Sequence, residues 1–170
     1  MKRIIIGLFF SLTGLSLIAQ DFVSSFLDKC EEKDSLEIVV IGKKMLELIN
    51  TTNSENKELD ELLSGLENIG MINTKDSTWS NEYYSLAVRM LKTKSHGFKE
   101  VFSLQGSDEN LLLMTKENKG VIKELVLLTK NEFEFSIISL SGDINLEKLA
   151  KYSKELNIKE LDNVISNIKN

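Results

Sequence analysis

One cysteine, one histidine and no proline stand among the 170 residues of this chain. A single cysteine cannot close an intramolecular disulfide, and beside a single histidine it cannot build a Cys/His zinc cluster. Without proline there is no native cis-proline turn and no stiff proline-rich linker. Aromatic residues are scarce at 7%, but apolar residues make up 42% and charged residues 28%, a balance that supports a packed core rather than wholesale disorder. The length suits one ordinary domain.

Catalytic motifs are missing too. There is no H-E-x-x-H and no G-x-S-x-G. Gly42-Lys43-Lys44 looks like the end of a phosphate loop, but Glu37 stands where the first glycine belongs and Lys44 where Ser or Thr belongs, so a strand-to-helix turn with exposed lysines is expected. Asp108-Glu109-Asn110 is too short a cluster for a calcium loop. His96, next to Gly97, reads as a solvated residue at a helix end. The carboxylate pairs Glu31-Glu32 and Asp60-Glu61 lie beside helical apolar stripes and read as solvated faces. No catalytic, cofactor-binding or metal-binding residue is assigned, and the chain is not expected to be an enzyme.

What is present begins with targeting. Met1-Lys2-Arg3 precedes an apolar stretch from Ile4 to Ile18, which ends at Ala19 and is followed by Gln20 and Asp21. A basic start, a short apolar middle and a small residue at the end predict a secretory signal peptide over residues 1–19, cut after Ala19. The stretch is short for a membrane span. Cys30 comes too late to accept a lipid, so a periplasmic or secreted protein that is not a lipoprotein is expected. Cleavage removes Lys2 and Arg3 and takes the formal charge from −5 to −7. Such a surface repels phosphate backbones and anionic lipid heads, so nucleic acid is not an expected partner. Cys30 follows Phe22 and Phe26 at four-residue spacing. A buried small hydrophobe is the favoured reading, with an intermolecular disulfide or reactive thiol as the alternative.

Hydrophobic periodicity orders the rest. A first helix is predicted over residues 21–32, and a buried strand over Leu36 to Ile41. A helix over Lys43 to Asn50 turns Met45, Leu48 and Ile49 inward, and residues 51–56 form a surface loop. Leu59, Leu62, Leu63 and Leu66 mark an amphipathic helix. A strand over Ile69 to Asn73 follows. Cap candidates among Ser77 to Ser80 then open a helix whose stripe is Tyr84, Ala87, Val88 and Leu91. From Gly97 the period becomes strand-like: Phe98 to Gln105, Asn110 to Lys116, Val121 to Thr129 and Phe133 to Leu140 form a four-stranded meander with short turns. Ser141-Gly142-Asp143 is expected to turn the chain out of the sheet, and Asn145 to cap a helix from Leu146 to about Tyr152.

The predicted fold is an α+β two-layer sandwich, a mostly antiparallel sheet with a C-terminal four-strand meander and helices packed on one face. Residues 20–152 form the single domain, with Val39, Leu62, Leu125, Val126 and Ile137 in its core. Residues 153–170 form a C-terminal amphipathic helix or tail, in which Ile158, Leu161, Ile165 and Ile168 make an apolar stripe. Too short to be stable alone, that helix is expected to dock on its own domain or to bind a partner protein or a second copy.

Three stretches carry a family resemblance: Ile38-Val39-Val40-Ile41-Gly42-Lys43-Lys44-Met45-Leu46, Ile122 to Leu128, and Phe135 to Leu146. In that order they resemble the exported Bacteroidota proteins grouped as domain of unknown function 4252, over roughly residues 21–152. The resemblance implies an exported domain without an established activity and a connection to envelope-response regulation. It also implies lipid anchoring, from which this chain departs because Cys30 is out of position. The expected function is therefore a non-enzymatic periplasmic binding or regulatory domain; the alternative is a periplasmic carrier of a small apolar ligand. No cofactor is expected. A protein partner of unknown identity is, and the mature chain is expected to carry no membrane span.

Overall fold

The computed structural model describes residues 21–31, 33–52 and 57–152. The predicted signal peptide, the loop residues 53–56 and the tail with Ile158, Leu161, Ile165 and Ile168 lie outside the described residues.

Six strands form one antiparallel sheet: β1 (Glu37–Gly42), β2 (Leu66–Thr74), β3 (Phe98–Gln105), β4 (Glu109–Asn118), β5 (Val121–Asn131) and β6 (Phe135–Ile144), in the order β1-β2-β6-β5-β4-β3. The last four are the predicted meander. β2 enters beside β6, where Ile72 pairs with Ile137, and β1 is added outside it. Among the described residues five α-helices accompany them: α1 (Phe22–Leu27), α2 (Lys43–Thr52), α3 (Lys57–Gly65), α4 (Ser77–Lys92) and α5 (Leu146–Tyr152).

Local chemistry sets the boundaries. Asp21 caps α1 by accepting from the Ser24 N–H at 2.8 Å, and Asp76, just before the predicted serines, caps α4 by accepting from the Thr78 N–H at 2.9 Å. Asn145 caps α5 as expected, accepting from the Lys148 N–H at 3.0 Å. Asn131 closes the β5–β6 turn by accepting from the N–H groups of Phe133 and Glu134 at 2.8 and 2.7 Å. This turn leaves Phe133 exposed and outside β6, which begins at Phe135 rather than at the predicted Phe133.

The antiparallel α+β architecture matches expectation, but the helices cover both faces of the sheet rather than one. Side chains of a strand alternate between faces, and both sets are buried here. Leu111, Leu113, Leu125, Leu127, Ile138 and Leu140 pack with α2, α3 and α5. Leu112, Met114, Val126, Leu128, Phe135 and Ile137 pack on the other side with Phe22, Val23 and Phe26 of α1 and Tyr83, Ala87 and Met90 of α4. The result is three layers, helix–sheet–helix, with two separate cores. Aromatic rings fill the second: Phe26 meets Tyr83 edge-on at 6.1 Å and lies 6.0 Å from Phe135.

Leu62, Leu125, Val126 and Ile137 are buried as expected, but Val39 is 52% exposed. β1 is an edge strand on which α2 packs, and of its apolar side chains only Ile41 is half-buried, so its continuous apolar run does not report two-sided burial. In α2 the inward residue is Leu46, with Ile49 half-buried, while Met45 and Leu48 are exposed. Met45/Leu48 and Leu46/Ile49 share the same three-residue spacing, and packing on β1 and β2 selects the second pair. The stripe of α4 is likewise rotated, with Tyr83, Ala87, Met90 and Leu91 buried and Tyr84 and Val88 half-buried at its flank.

Candidate functional site

Ser141, Gly142 and Asp143 do not leave the sheet; they belong to β6. The β2–β6 register slips between Leu66 and Asn68, and the β5–β6 register between Ile122 and Glu124, so two bulges flank Gly142. Its φ is +129°, a conformation disfavoured for side-chain-bearing residues. A Cβ there would lie 2.3 Å from the Gly65 carbonyl oxygen and 2.8 Å from the Glu67 nitrogen, so the backbone of the α3–β2 junction approaches as only glycine permits.

Beside this double slip lies an open cleft of about 560 Å³, with Asp21, Glu67, Lys116, Lys123, Glu124 and Asp143 among its walls. Lys123 and Asp143 form an ion pair at the rim. Glu124 is the buried member, 6% exposed. It accepts from the Phe22 N–H at 2.5 Å. Burial raises its pKa above the ordinary carboxylate range; the Phe22 N–H and the Lys116 ammonium oppose that shift, and Asp21 reinforces it. A carboxyl in this state is the group here best suited to proton exchange. Its hydrogen bond, however, goes to the first residue of α1, so Glu124 fastens that helix to the sheet. Among the described residues no group of three or more His, Cys, Asp or Glu side chains is placed to hold a metal ion.

The second feature is the outer edge. Among the described residues nine large apolar side chains are exposed, and five of them belong to β1 or the helix after it: Ile38, Val39, Val40, Met45 and Leu48. β1 pairs with β2 in unbroken register from Glu37 to Gly42, and it has no charged residue from Ile38 to Gly42. The opposite edge is built differently. β3 has a register break between Glu100 and Phe102, and its Lys99 and Glu100 pair with Glu117 and Lys92. Bulges and charges are what keep an edge strand from adding a neighbour. β3 carries both, whereas β1 has no bulge and its one charge, Glu37, stands at its first residue.

The residues singled out from sequence mostly take the plainer reading. Lys43 and Lys44 open α2 as exposed side chains. His96 closes a short 3₁₀ turn, Lys94–His96. Cys30 is 7% exposed and its Sγ donates to the Phe26 carbonyl at 3.4 Å. Burial pushes its pKa up to about 11 against the pull of Lys33. Glu124 and Gly142 were not anticipated. The available signal was the parity of β5, which puts Glu124 on the same face as Val126 and Leu128.

A family model described as Domain of unknown function (DUF4252) matches residues 29–152, well over half of the chain. The chain belongs to the DUF4252 family. No curated protein and no solved structure matches it. The matched DUF4252 region holds all six strands and α2 to α5, including the β1 edge. Asp21, which lines the polar cleft, and Phe22, whose N–H donates to Glu124, precede it. No helix among the described residues is long and apolar enough to cross a membrane.

Proposed function

We propose that this DUF4252 protein is an exported, non-enzymatic binding domain that works in the cell envelope through contact with protein. The observation that supports this most directly is the β1 edge, paired on one side only among the described residues, with exposed apolar side chains of β1 and α2 along it, since large exposed apolar surface rimmed by polar residues marks an interaction site. Export rests on the three-part pattern of residues 1–19, and an envelope role accords with an acidic chain that repels nucleic acid. The carrier alternative draws no support from the 560 Å³ cleft, whose walls are charged rather than apolar.

The test is purification from the native envelope of the wild-type chain and of Val40→Lys, a change at an exposed edge position. A binding domain retains a stoichiometric protein partner or a second copy in the wild type and loses it in the variant. Native mass spectrometry on the same sample decides the alternative: a small apolar molecule bound one-to-one, with no Val40-dependent protein, would replace this reading by the carrier. N-terminal sequencing checks export, with a first residue at or near Gln20 expected.

A further inference from the structure

We infer that the occupant of the β1 edge is a second copy of this chain, joined antiparallel through β1 so that two six-stranded sheets become one twelve-stranded sheet. The inference rests on the binding reading above and names its partner.

The charges at the ends of the strand select this arrangement. Glu37 stands at the start of β1, and Lys43 follows its last residue, with only Ile38, Val39, Val40, Ile41 and Gly42 between them. In a parallel pairing of two copies, Glu37 would face Glu37 and Lys43 would face Lys43. In the antiparallel pairing centred on Val40, each Glu37 meets the Lys43 of the other copy. Val39 then pairs with Ile41, Ile38 with Gly42, and Val40 with its own counterpart on the two-fold axis. Every pair joins positions of the same parity, so the same face of both sheets stays on the same side, as the symmetry requires. Both α2 helices then lie on one face. α2 packs against β1 and β2, and neighbouring strands are about 4.8 Å apart, so the two helices would run roughly 10 Å from each other, the spacing of packed helices. That contact would give Met45 and Leu48, both exposed in the single chain, an apolar surface to meet. The β1–β2 register has no bulge to twist the edge away.

Sedimentation equilibrium of the full chain from Gln20, together with charge reversals, tests the seam. The wild type is expected to form a dimer in the micromolar range. Val40→Lys sets two ammonium groups against each other on the axis and should weaken association on the order of tenfold or more. Glu37→Lys and Lys43→Glu should each weaken it, and the double variant should restore it because the pair is regenerated with its signs exchanged. Circular dichroism on each variant confirms that the fold is kept. A wild type that remains monomeric at about 100 μM, a dimer indifferent to Val40→Lys, or a double variant no tighter than the single ones overturns the inference. The two readings fail separately. A monomeric chain whose envelope partner still depends on Val40 leaves the binding function standing and removes the self-pairing. A monomeric chain with no such partner removes both.

Discussion

Replacing Gly142 by alanine should destabilise the domain more than any other single added methyl group at its glycines, and the structure separates the causes. At Gly142 two costs combine. The φ of +129° is strained for alanine, at about 1–3 kcal/mol. The new Cβ would also meet backbone atoms of Gly65, Leu66 and Glu67 at 2.3–2.8 Å, and relief requires moving the α3–β2 junction or the β6 bulge, about 1–3 kcal/mol more. Gly65 isolates the steric cost: its Cβ would lie 2.6 Å from the Asp143 carbonyl oxygen. Gly97 isolates the dihedral cost, with φ +74° and nothing within 4 Å of the added atom. Together these give about 2–6 kcal/mol for Gly142→Ala, a large share of the roughly 5–15 kcal/mol that holds a typical domain folded. For a domain of this size the loss corresponds to on the order of 10–20 °C in Tm. Thermal and urea unfolding of the three variants, followed by circular dichroism, provide the comparison. If Gly142→Ala is no worse than Gly97→Ala, the close backbone approach at the double bulge is not a constraint on the fold and the reasoning fails.

Leu62→Ala and Leu125→Ala, one in α3 and one in β5, should each cost about 2–5 kcal/mol in urea unfolding, while Phe133→Ser at the exposed turn should change stability by about 0.5 kcal/mol or less. Glu124 has a folded pKa above its unfolded one, so its contribution is most favourable below the ordinary carboxylate pKa and declines as pH rises through the folded value; Glu124→Gln should flatten that part of the stability–pH profile and gain relative to wild type on its alkaline side, and an unchanged profile would show that the carboxyl is not held as described. With a pKa of about 11, roughly a thousandth of the Cys30 thiol is ionised at pH 8, so iodoacetamide should label it very slowly in the native chain and fast after denaturation; rapid native labelling would contradict its burial. Ending the chain at Tyr152 should lower Tm without changing the oligomeric state if residues 153–170 dock on their own domain, and unchanged stability with lost association would assign them to a partner instead.

The order of strands and helices was legible because each element has a periodicity of its own and turn residues separate them. The Asn145 cap and the short meander connections needed nothing beyond local chemistry. The layer count was misjudged although a clue was present. Leu111-Leu112-Leu113-Met114 and Leu125-Val126-Leu127-Leu128 are unbroken apolar runs in paired strands, and such runs bury both faces of a sheet. Ile38 to Ile41 carries the same kind of run at an edge, where Ile38, Val39 and Val40 are exposed and Ile41 is half-buried, and composition cannot distinguish the two cases. Nor could it find the cleft. Glu124 and Lys116 face each other across the β4–β5 ladder, and Asp21 joins them from the start of α1, where the Phe22 N–H donates to Glu124, so the three meet only through long-range pairing.

The position of β2 has a kinetic consequence. The meander is assembled from near neighbours, with Leu113 opposite Leu127, and can close as soon as those residues are available. β2 must wait for β6, about 65 residues later in the chain, because Ile72 pairs with Ile137. A chain that emerges N-terminus first therefore presents β1 and β2 well before their place in the sheet exists. The apolar segment Ile38 to Val40 waits together with β2, and these side chains stay exposed in the finished sheet. Folding of this domain should accordingly be slow for its size and sensitive to protein concentration, and holding that one segment apart from its neighbours is the task a chaperone would have to perform.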